Sequence, residues 1–567
     1  MIRLQLSNNR VGVSFSGDNF WPILQFLRGF GSAVYDAKST LWVFPIDDLD
    51  LFLEQPSLKY EVVISTEDLE NNYNEFADKK EVVDNIKKLR LPAIRFNTIT
   101  FNLYSFQASG VIFLAKVGKC ILADQVGMGK SCMALTASTL LDVEAVLIVS
   151  PASLVQNWIN EIKEKLKINT YTEIRKIPKL SRKYVYLKPP SRYLVFSYEL
   201  FTRDIADICE AFKGKKILII ADEIQYIKNY SANRTKALIK FSKQATYFFG
   251  LSATYLETGL ENLHSIFQVI NENIFGKNIY KFYNEYVQTD YMGKVNGYKN
   301  VEKIKKKIYP YVLRRNKEEV LEQLPKRIEL VYWVDLSKQE LAIYDNIQAG
   351  IIKEIKENER AEKVLSAPNI LAMIQYLQQA CLHPALIGSE GKSSKLRELI
   401  DIAKNIDDKK IVIFCTYTKM VELIHKELLK NDYTSLYIHG QAGLDKYKVL
   451  KKFQEDDSIR FLVCSEVFRE GVNITKASTI VHFNMLWNPA KIEQRTGRID
   501  RIGQLSDKIN VIYIVANKTI EIDIYARVKS RKKLYDDVVN NNYKTDRITY
   551  DDTMTKQELL SVIYKKR

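Results

Sequence analysis

From Ile121 onward, short apolar runs alternate with longer amphipathic stretches, and this alternation restricts the possible folds more than any other feature. Apolar runs of this length are typical of strands buried on both faces of a parallel sheet and joined by crossover helices. The runs form two series, Ile121–Ala123, Val146–Val149, Tyr193–Phe196, Ile217–Ile220 and Tyr247–Leu251, then Ile411–Cys415, Ser435–Ile438, Phe461–Cys464, Thr479–Phe483 and Ile509–Val515. The pattern predicts an α/β protein with two doubly wound parallel-sheet domains.

The connection that follows the first run, Asp124-Gln-Val-Gly-Met-Gly-Lys-Ser131, has the composition of a phosphate-binding loop. Gly127 and Gly129 permit a turn with exposed backbone N–H groups. Lys130 can reach the β- and γ-phosphate oxygens of a nucleotide, and the Ser131 hydroxyl can ligate Mg²⁺. The general pattern has glycine at the position of Asp124, so a glycine-bearing strand–helix turn with an unrelated lysine is the alternative interpretation.

A second acidic motif ends the apolar run Ile217–Ile220, in the segment Lys215-Lys-Ile-Leu-Ile-Ile-Ala-Asp-Glu223. Side chains at the carboxyl end of such a strand open into the ligand crevice of a doubly wound sheet. Asp222 can hold Mg²⁺ through water, and Glu223 can orient and deprotonate an attacking water. A solvated strand end is the alternative for the motif taken alone, but its order after the loop favours one joint site.

The second series closes with Gln494-Arg-Thr-Gly-Arg498-Ile-Asp-Arg501-Ile-Gly-Gln504. Arg498 and Arg501 are three residues apart, so on a helix they would share a face. Arginines so placed can neutralise charge that develops on a γ-phosphate, an effect worth roughly 10³–10⁵ in rate. The alternative is an exposed basic helix with ordinary ion pairs.

Composition indicates the class of partner. The net charge of +16 favours a polyanion, without distinguishing DNA from RNA or an acidic membrane. The six cysteines are scattered, which favours a reducing compartment and suggests neither a zinc site nor a disulfide framework. No apolar run approaches the roughly 18 residues of a membrane span. We therefore expect a soluble, intracellular protein that has no membrane partner.

Together these motifs resemble, from about Phe106 to Lys533, the Swi/Snf-type branch of the superfamily-two helicase-like ATPases. The stretches that carry the resemblance are Phe106-Gln107, Leu122–Ser131, Val149–Trp158, Ser197–Glu199, Asp222–Asn229, Gly250–Thr254, Leu313–Lys317 with Leu324-Pro325, Cys381–Pro384, Phe414, Glu470–Asn473, Trp487–Pro489 and Gln494–Gln504.

The resemblance implies two RecA-like domains that use ATP and Mg²⁺ and act on double-stranded or branched DNA, and we expect a monomer. Its residue roles fall into four groups. The implied catalytic residues are Lys130, Asp222, Glu223, Arg498 and Arg501. Those implied to bind nucleotide are Gln107, Gly127, Met128, Gly129, Lys130, Ser131 and Gln494, with Ser131 and Asp222 at the metal. Those implied to contact nucleic acid are Pro151, Ser153, Ser197 and Asn473.

Four positions depart from the family pattern. Gln125, Gln225, Tyr255 and Asn484 stand where the family usually has Glu, His, Pro and Asp. Gln225 occupies a position thought to couple hydrolysis to nucleic-acid contact, which leaves the strength of coupling open. None of the four removes a predicted catalytic residue, so an active ATPase is expected.

The segment Val34–Pro45, followed by Asp47–Asp50, resembles the HARP module of annealing helicases. A small β-hairpin that packs Tyr35, Trp42 and Phe44 in an ordinary core is the alternative. The resulting domain prediction is a HARP-like module at 1–65, a linker at 66–95, a first RecA-like domain with a helical insertion at 96–325, a helical insertion at 326–395, a second RecA-like domain at 396–518 and a helical tail at 519–567.

The sequence therefore predicts a DNA-stimulated ATPase that moves along duplex DNA and remodels forks or junctions by branch migration, fork reversal or strand annealing. Two alternatives stay open. One is a motor that displaces proteins or shifts nucleosomes. The other is a nucleic-acid scaffold that binds ATP but hydrolyses it slowly, which Gln125 and Gln225 motivate.

Overall fold

The computed structural model describes residues 2–7, 10–15, 27, 33–36, 41–45, 62–64, 99–167, 170–253, 260–289, 295–320, 326–360, 367–406, 410–440, 446–466, 474–501, 504, 506–539, 547–548 and 563–564. Two compact units divide the chain. The first unit comprises Met1–Glu322 with Asp546–Tyr550, and the second comprises Gln323–Thr545 with Asp551–Arg567. No helix in the described ranges is long and apolar enough to cross a membrane.

The N-terminal part of the first unit forms a five-stranded sheet. Its strands are β1 Ile2–Ser7, β2 Arg10–Phe15, β3 Val34–Asp36, β4 Leu41–Pro45 and β5 Val62–Ile64, in the order β3-β4-β2-β1-β5. Tyr35 lies opposite Trp42 with ring centroids 5.7 Å apart, and Tyr35 is 51% exposed. Trp42 packs against the core, whereas the side chain of Phe44 lies outside the described residues. The likeness to a HARP module stays a prediction.

The first unit also contains a parallel sheet of seven strands, in the order β14-β6-β11-β10-β7-β9-β8. The strands are β6 Lys119–Leu122, β7 Ala145–Ser150, β8 Tyr171–Glu173, β9 Tyr193–Ser197, β10 Ile217–Asp222, β11 Tyr247–Leu251 and β14 Val312–Leu313. A separate antiparallel sheet joins β12 Val287–Thr289, β13 Val295–Lys299 and β21 Arg547–Ile548. All five apolar runs predicted as strands are confirmed.

Helices cover both faces of the seven-stranded sheet. They are α1 Ser105–Val117, α2 Lys130–Thr139, α3 Val155–Lys165, α4 Lys179–Leu187, α5 Tyr198–Arg203, α6 Ile205–Ala211, α7 Asn233–Ser242, α8 Leu263–Ile270, α9 Ile279–Tyr286, α10 Val301–Ile308 and α11 Lys317–Val320. Short 3-10 turns span Ala152–Leu154, Ile174–Lys176, Ile224–Ile227, Leu260–Asn262 and Tyr309–Tyr311. Almost every residue of α1 is buried, consistent with a helix that is apolar on all sides.

The second unit has a parallel sheet of six strands in the order β15-β20-β19-β16-β18-β17. The strands are β15 Lys326–Val334, β16 Ile411–Phe414, β17 Ser435–Ile438, β18 Phe461–Cys464, β19 Thr479–His482 and β20 Lys508–Ala516. Its helices are α12 Lys338–Arg360, α13 Ala367–Leu382, α14 Ser394–Asn405, α15 Thr418–Lys430, α16 Lys446–Glu455, α17 Pro489–Thr496 and α18 Ile520–Val539, with a 3-10 turn at Pro384–Ile387. The prediction of two parallel-sheet α/β domains is confirmed.

The prediction that residues 326–395 are a purely helical insertion is wrong at its start. β15 is the edge strand of the second sheet, and it pairs with β20 from Lys326 opposite Lys508 to Val334 opposite Ala516. Its run Ile-Glu-Leu-Val-Tyr-Trp-Val is rich in the β-branched and aromatic residues that favour strands. The helical periodicity of the surrounding sequence obscured this signal.

A fully buried ion pair joins the tail helix α18 to α14. The Nζ of Lys395 donates to both carboxylate oxygens of Glu521, at 3.0 and 2.7 Å, and the two side chains are 0% and 1% exposed. Glu521 also accepts the backbone N–H of Ala516 at 2.9 Å. Because every carboxylate oxygen has a partner, the pair fixes α18 against the end of β20.

Replacing Lys395 with methionine should destabilise the second unit by about 3–5 kcal/mol, because Glu521 would stay buried without a compensating charge. Thermal and urea unfolding of the full chain would measure the loss. The matched control is Lys404→Met, whose partner Asp401 forms an exposed pair, the two side chains being 59% and 51% exposed. An exposed pair contributes ~0–1 kcal/mol, so equal losses in the two variants would contradict the assignment.

Candidate active site

The predicted phosphate-binding loop connects β6 to α2, whose first residue is Lys130. Gly127 and Gly129 have φ values of 87° and 83°, the left-handed region that glycine adopts without strain. A Cβ at Gly129 would lie 2.6 Å from the Nε2 atom of Gln107. Glycine is therefore required at Gly129 both by the backbone conformation and by the close approach of Gln107.

Gln107 lies on α1 and is buried against this loop. Its Nε2 donates to the carbonyl of Met128 at 3.1 Å, and its Oε1 accepts the backbone N–H of Tyr104 at 3.2 Å. The predicted nucleotide-binding residues Gln107, Met128 and Gly129 are thus brought together. Because both its amide nitrogen and its amide oxygen are hydrogen-bonded, Gln107 holds the loop against the start of α1.

Lys130 folds back over the same loop. Its Nζ donates to the carbonyls of Asp124 at 2.7 Å and Gln125 at 3.2 Å. A phosphate oxygen is a stronger acceptor for an ammonium than a neutral carbonyl, because both partners carry charge. The lysine is therefore positioned at the loop with contacts that a phosphate can replace. Ser131 follows it as the second residue of α2.

Arg315 fixes the start of the loop, and the sequence had assigned it no role. Its Nε and Nη2 donate to the two carboxylate oxygens of Asp124 at 3.1 and 2.5 Å. Its Nη1 donates to the carbonyl of Phe106 at 2.5 Å and to the hydroxyl of Ser109 at 2.7 Å. Asp124 is fully buried and Arg315 is 5% exposed. Asp124, which stands where the general loop pattern has glycine, therefore forms a buried bidentate ion pair with Arg315.

The same arginine explains a glycine within α1. A Cβ at Gly110 would lie 2.9 Å from Nη2 of Arg315 and 2.4 Å from the sulfur of Met133. The residues around Arg315 also contact the loop, since Ala123 N–H donates to Leu313 O at 2.7 Å and Gln125 N–H donates to Arg315 O at 3.2 Å. The family-specific stretch Leu313–Lys317 thus joins α1 and the loop into one rigid assembly.

The acidic motif lies where β10 ends at Asp222. The indole N–H of Trp158 donates to one carboxylate oxygen of Asp222 at 2.8 Å, and the N–H of Glu223 donates to the other at 3.0 Å. Burial raises the pKa of Asp222 above its usual range, and the adjacent Glu223 raises it further. The two adjacent carboxylates therefore carry negative charge that their surroundings do not fully neutralise. A bound cation would neutralise it. Trp158 is the last residue of the stretch Val149–Trp158, which carries part of the family resemblance.

Glu223 has a left-handed backbone with φ 51° and ψ 57°, a conformation that costs energy for a residue with a Cβ. The side-chain amide of Gln225 donates to its carboxylate at 2.5 Å. The hydroxyl of Ser252 donates to the Oε1 of Gln225 at 2.7 Å. The predicted base and the Gly250–Thr254 motif are therefore linked through the glutamine that replaces the family histidine. Thr254 lies outside the described residues.

We predict that Gln225→Ala lowers kcat for ATP hydrolysis about three- to tenfold, because it removes hydrogen bonds worth roughly 0.5–1.5 kcal/mol each. The loss should be larger when DNA is present, if the link carries coupling. Steady-state ATPase assays with and without duplex DNA would measure both quantities. Gln225→His, which restores the family residue, should stay near the wild-type rate. Unchanged rates for Gln225→Ala in both conditions would contradict this role.

The residues predicted to contact nucleic acid follow the carboxyl ends of β7 and β9. Pro151 precedes the turn Ala152–Leu154, and Ser153 in that turn is exposed. Ser197 begins α5, where its Oγ accepts the N–H of Leu200 at 3.2 Å. Ser150 pairs with Ser197, so these chain ends lie side by side. Asn473 lies outside the described residues, and its predicted role stays a prediction.

The second unit holds the predicted arginines. Gln494 is buried in α17, and the Nε of Arg498 donates to its carbonyl at 3.0 Å. The Nε of Arg501 donates to the carbonyl of Gly497 at 2.7 Å. The two arginines do not share a helix face, because α17 ends at Thr496 and turns follow. Gly497 accounts for the end of the helix, since glycine is a weak helix former.

Arg495, which the sequence did not single out, is buried beside these residues. It donates to Thr416 Oγ1 at 3.1 Å and forms an ion pair with Glu466. Asn484, one of the four departures, accepts the N–H of Thr416 at 2.9 Å and donates back to its hydroxyl at 3.1 Å. Asn484 therefore satisfies both the backbone N–H donor and the hydroxyl acceptor of Thr416. The arginine-rich spacing of the motif was the available signal for Arg495.

The donor set fits Mg²⁺ bound with a nucleoside triphosphate. The half-buried carboxylate of Asp222 and the hydroxyl of Ser131 are hard oxygen ligands, which Mg²⁺ prefers together with phosphate oxygens and water. The left-handed loop glycines Gly127 and Gly129 allow a turn whose backbone N–H groups suit a phosphate. When bound, the ion would neutralise charge on the phosphates. Its protein contacts would come from Ser131 and, through water, from Asp222.

Comparison with known families agrees with this geometry. The SNF2-related domain matches residues 60–386, and the helicase conserved C-terminal domain matches residues 391–503. The chain belongs to the SNF2-related family. Its phosphate-binding loop, acidic motif and Arg315 all lie within the first match, and Gln494, Arg498 and Arg501 lie within the second.

Several curated proteins and solved structures are similar to this SNF2-related chain. An uncharacterized ATP-dependent helicase of Mycoplasma genitalium, MG018, is 27% identical over 479 residues, covering 81% of the chain and 44% of that protein. The mouse DNA annealing helicase and endonuclease ZRANB3 is 26% identical over 466 residues, covering 79% and 42%. The Sulfolobus solfataricus SWI2/SNF2 ATPase core in complex with double-stranded DNA is 24% identical with a TM-score of 0.37, covering 82% of this chain and 98% of that one. The chain spans less than half the length of these curated relatives.

Proposed function

We propose that this chain is an ATP-driven motor that moves along double-stranded DNA and remodels forks or junctions. The observation that carries the proposal is the chain of contacts from Ser252 through Gln225 to Glu223. It links the residue suited to activate water with the Gly250–Thr254 stretch, to which the resemblance assigns the coupling of hydrolysis to movement. Such a link favours a motor over a protein that only holds ATP.

In the proposed reaction, Glu223 accepts a proton from water as the water oxygen bonds to the γ-phosphorus. The bond to the ADP oxygen breaks, and ADP and inorganic phosphate leave. Lys130 balances charge on the phosphates during transfer. Bound Mg²⁺ would add to this neutralisation. Gln225 holds the Glu223 carboxylate in the orientation needed to receive the proton.

The names of the relatives support the DNA part of the proposal in different ways. ZRANB3 is named an annealing helicase, which favours forks and junctions as substrates. The zebrafish chromodomain-helicase-DNA-binding protein 1-like is 25% identical over 494 residues, covering 82% of the chain and 46% of that protein, which keeps a protein-displacing motor as the second candidate. The five-stranded N-terminal sheet, with Val34 and Tyr35 exposed, is the proposed fork-recognition module.

ATPase stimulation by fork, four-way junction, linear duplex, single-stranded DNA and RNA would test the proposal. Forked or four-way DNA should stimulate most, linear duplex less, and RNA least. Lys130→Ala controls for contaminating ATPases. A lack of stimulation by every DNA would overturn the proposal and leave the scaffold alternative. A protein-coated duplex is added to the panel, and stimulation by that substrate alone would favour the protein-displacing motor.

A further inference from the structure

Three neighbouring strands of the seven-stranded sheet end along one edge of the first unit. In the order β7-β9-β8, Ser150 pairs with Ser197, and Glu173 pairs with Val195 two residues earlier on β9. The carboxyl ends of β7 and β9 lead to Ser153 and Ser197, the proposed DNA contacts. β8 ends beside them and leads into the turn Ile174–Lys176, to which the sequence assigned no function.

Two cations are fixed at the end of β8 by one buried carboxylate. Glu173 is 3% exposed, and it pairs with Arg175 and, at 2.8 Å, with Lys176, whose own side chains are 49% and 70% exposed. Burial alone would raise the pKa of Glu173, but the hydrogen bonds from Lys176 and Arg175 lower it overall. Both cations therefore have a charged anchor on the protein side and a free outer face.

Arg175 also extends toward the predicted DNA-contact turn. Its Nη2 donates to the side-chain oxygen of Gln156 at 3.4 Å, and Gln156 lies three residues beyond Ser153. The end of β8 is thus in contact with the first turn of α3. A strand of DNA that contacts Ser153 and Ser197 would also pass Arg175, because all three residues lie at or just beyond the carboxyl ends of neighbouring strands.

A third cation, Lys179, is the first residue of α4 and is exposed. This helix has nine residues, no side-chain cap at its amino end and no acidic residue in its first turn. The amino end of the helix dipole adds positive potential at the position of Lys179. Arg175, Lys176 and Lys179 together outweigh the single negative charge of Glu173.

We infer that Arg175, Lys176 and Lys179 form a phosphate-contact site that extends the DNA track of the first unit to the edge strand β8. The inference rests on the proposed function. The ligand is the sugar–phosphate backbone of duplex DNA, contacted without sequence readout. Because Lys176 and Lys179 project from short, anchored segments, they add affinity without needing the motor to change shape.

The test uses the double variant Lys176→Ala/Lys179→Ala in the full chain, which keeps the pair of Arg175 with Glu173 intact. Binding to a linear duplex is measured across a salt series. Each lost phosphate contact should reduce the slope of log affinity against log salt by about 0.9, so a decrease of roughly 1.8 is expected. The duplex concentration for half-maximal ATPase stimulation should rise several-fold, while the DNA-free ATPase rate and the melting temperature stay unchanged.

The matched control removes lysines near the amino ends of the strands of the same sheet, away from the carboxyl ends that lead to the predicted DNA contacts. Lys213 and Lys216 precede the amino end of β10 and are exposed, so Lys213→Ala/Lys216→Ala loses equal charge far from the predicted track. The proposed site would be overturned if Lys176→Ala/Lys179→Ala had the wild-type slope of log affinity against log salt, or if both double variants lost the same amount of slope. Either result would leave the proposed motor intact. Failure of the unmodified chain to bind duplex would overturn both proposals.

Discussion

Replacing Glu223 with glutamine should lower kcat for ATP hydrolysis by about 10²–10⁴-fold, the usual contribution of a positioned general base. The amide cannot accept the proton of the attacking water, whereas the loop that holds the phosphates would be unaltered. The KM for ATP should therefore change little. Steady-state and single-turnover ATPase assays, together with binding of a fluorescent ATP analogue, would separate the two effects.

The matched control for that substitution is Glu199→Gln, an exposed glutamate on α5 of the same unit. It carries the same chemical change and should retain the wild-type rate. A Glu223→Gln variant with unchanged kcat would exclude Glu223 as the base. A variant that lost ATP binding and kcat together would indicate that Glu223 supports the fold of the site, as its left-handed backbone would also allow.

Replacing Arg315 with methionine should destabilise the first unit by about 3–5 kcal/mol and weaken nucleotide binding, although no role in contacting ATP is assigned to it. The substitution leaves the buried carboxylate of Asp124 without its charged partner. The loop begins at that aspartate, so its backbone would lose a fixed starting position. Thermal unfolding of the full chain and binding of an ATP analogue would measure the two losses.

The double variant Asp124→Asn/Arg315→Met provides the control for Arg315. With the buried negative charge removed as well, the double variant should be more stable than Arg315→Met alone. Nucleotide affinity should recover with stability if Arg315 acts by positioning the loop. A double variant no more stable than the single one would contradict the role of the ion pair.

How far the sequence predicted this molecule depends on the range of the interactions involved. The strands, Lys130, Asp222 and Glu223 were predictable because apolar runs and their polar ends lie close together in sequence. Arg315 was quoted within a family signature, but its pairing with Asp124 spans 191 residues, a distance over which no local pattern operates. Asp124 departs from the general loop pattern and belongs to the stretch Leu122–Ser131 that resembles the family, but its buried ion pair with Arg315 appears only in the folded chain.

The departures at glutamine illustrate the same limit. Gln225 left the strength of coupling open, because it stands where the family usually has histidine. In the folded chain its two ends bond to Glu223 and Ser252, and an amide offers both the donor and the acceptor that this bridge needs. Likewise, the short turn after α17 could not be distinguished from a continued helix, since only Gly497 marks the change.

Displacement of a third strand from a triplex on linear duplex DNA tests the central claim most directly, because it reports movement along the duplex without strand separation. Wild-type protein should release the third strand only when ATP is present, at a rate that falls with distance from its loading site. Glu223→Gln should bind the duplex but release no strand. DNA-stimulated ATP hydrolysis without any release of the third strand would contradict the account of a duplex-tracking motor.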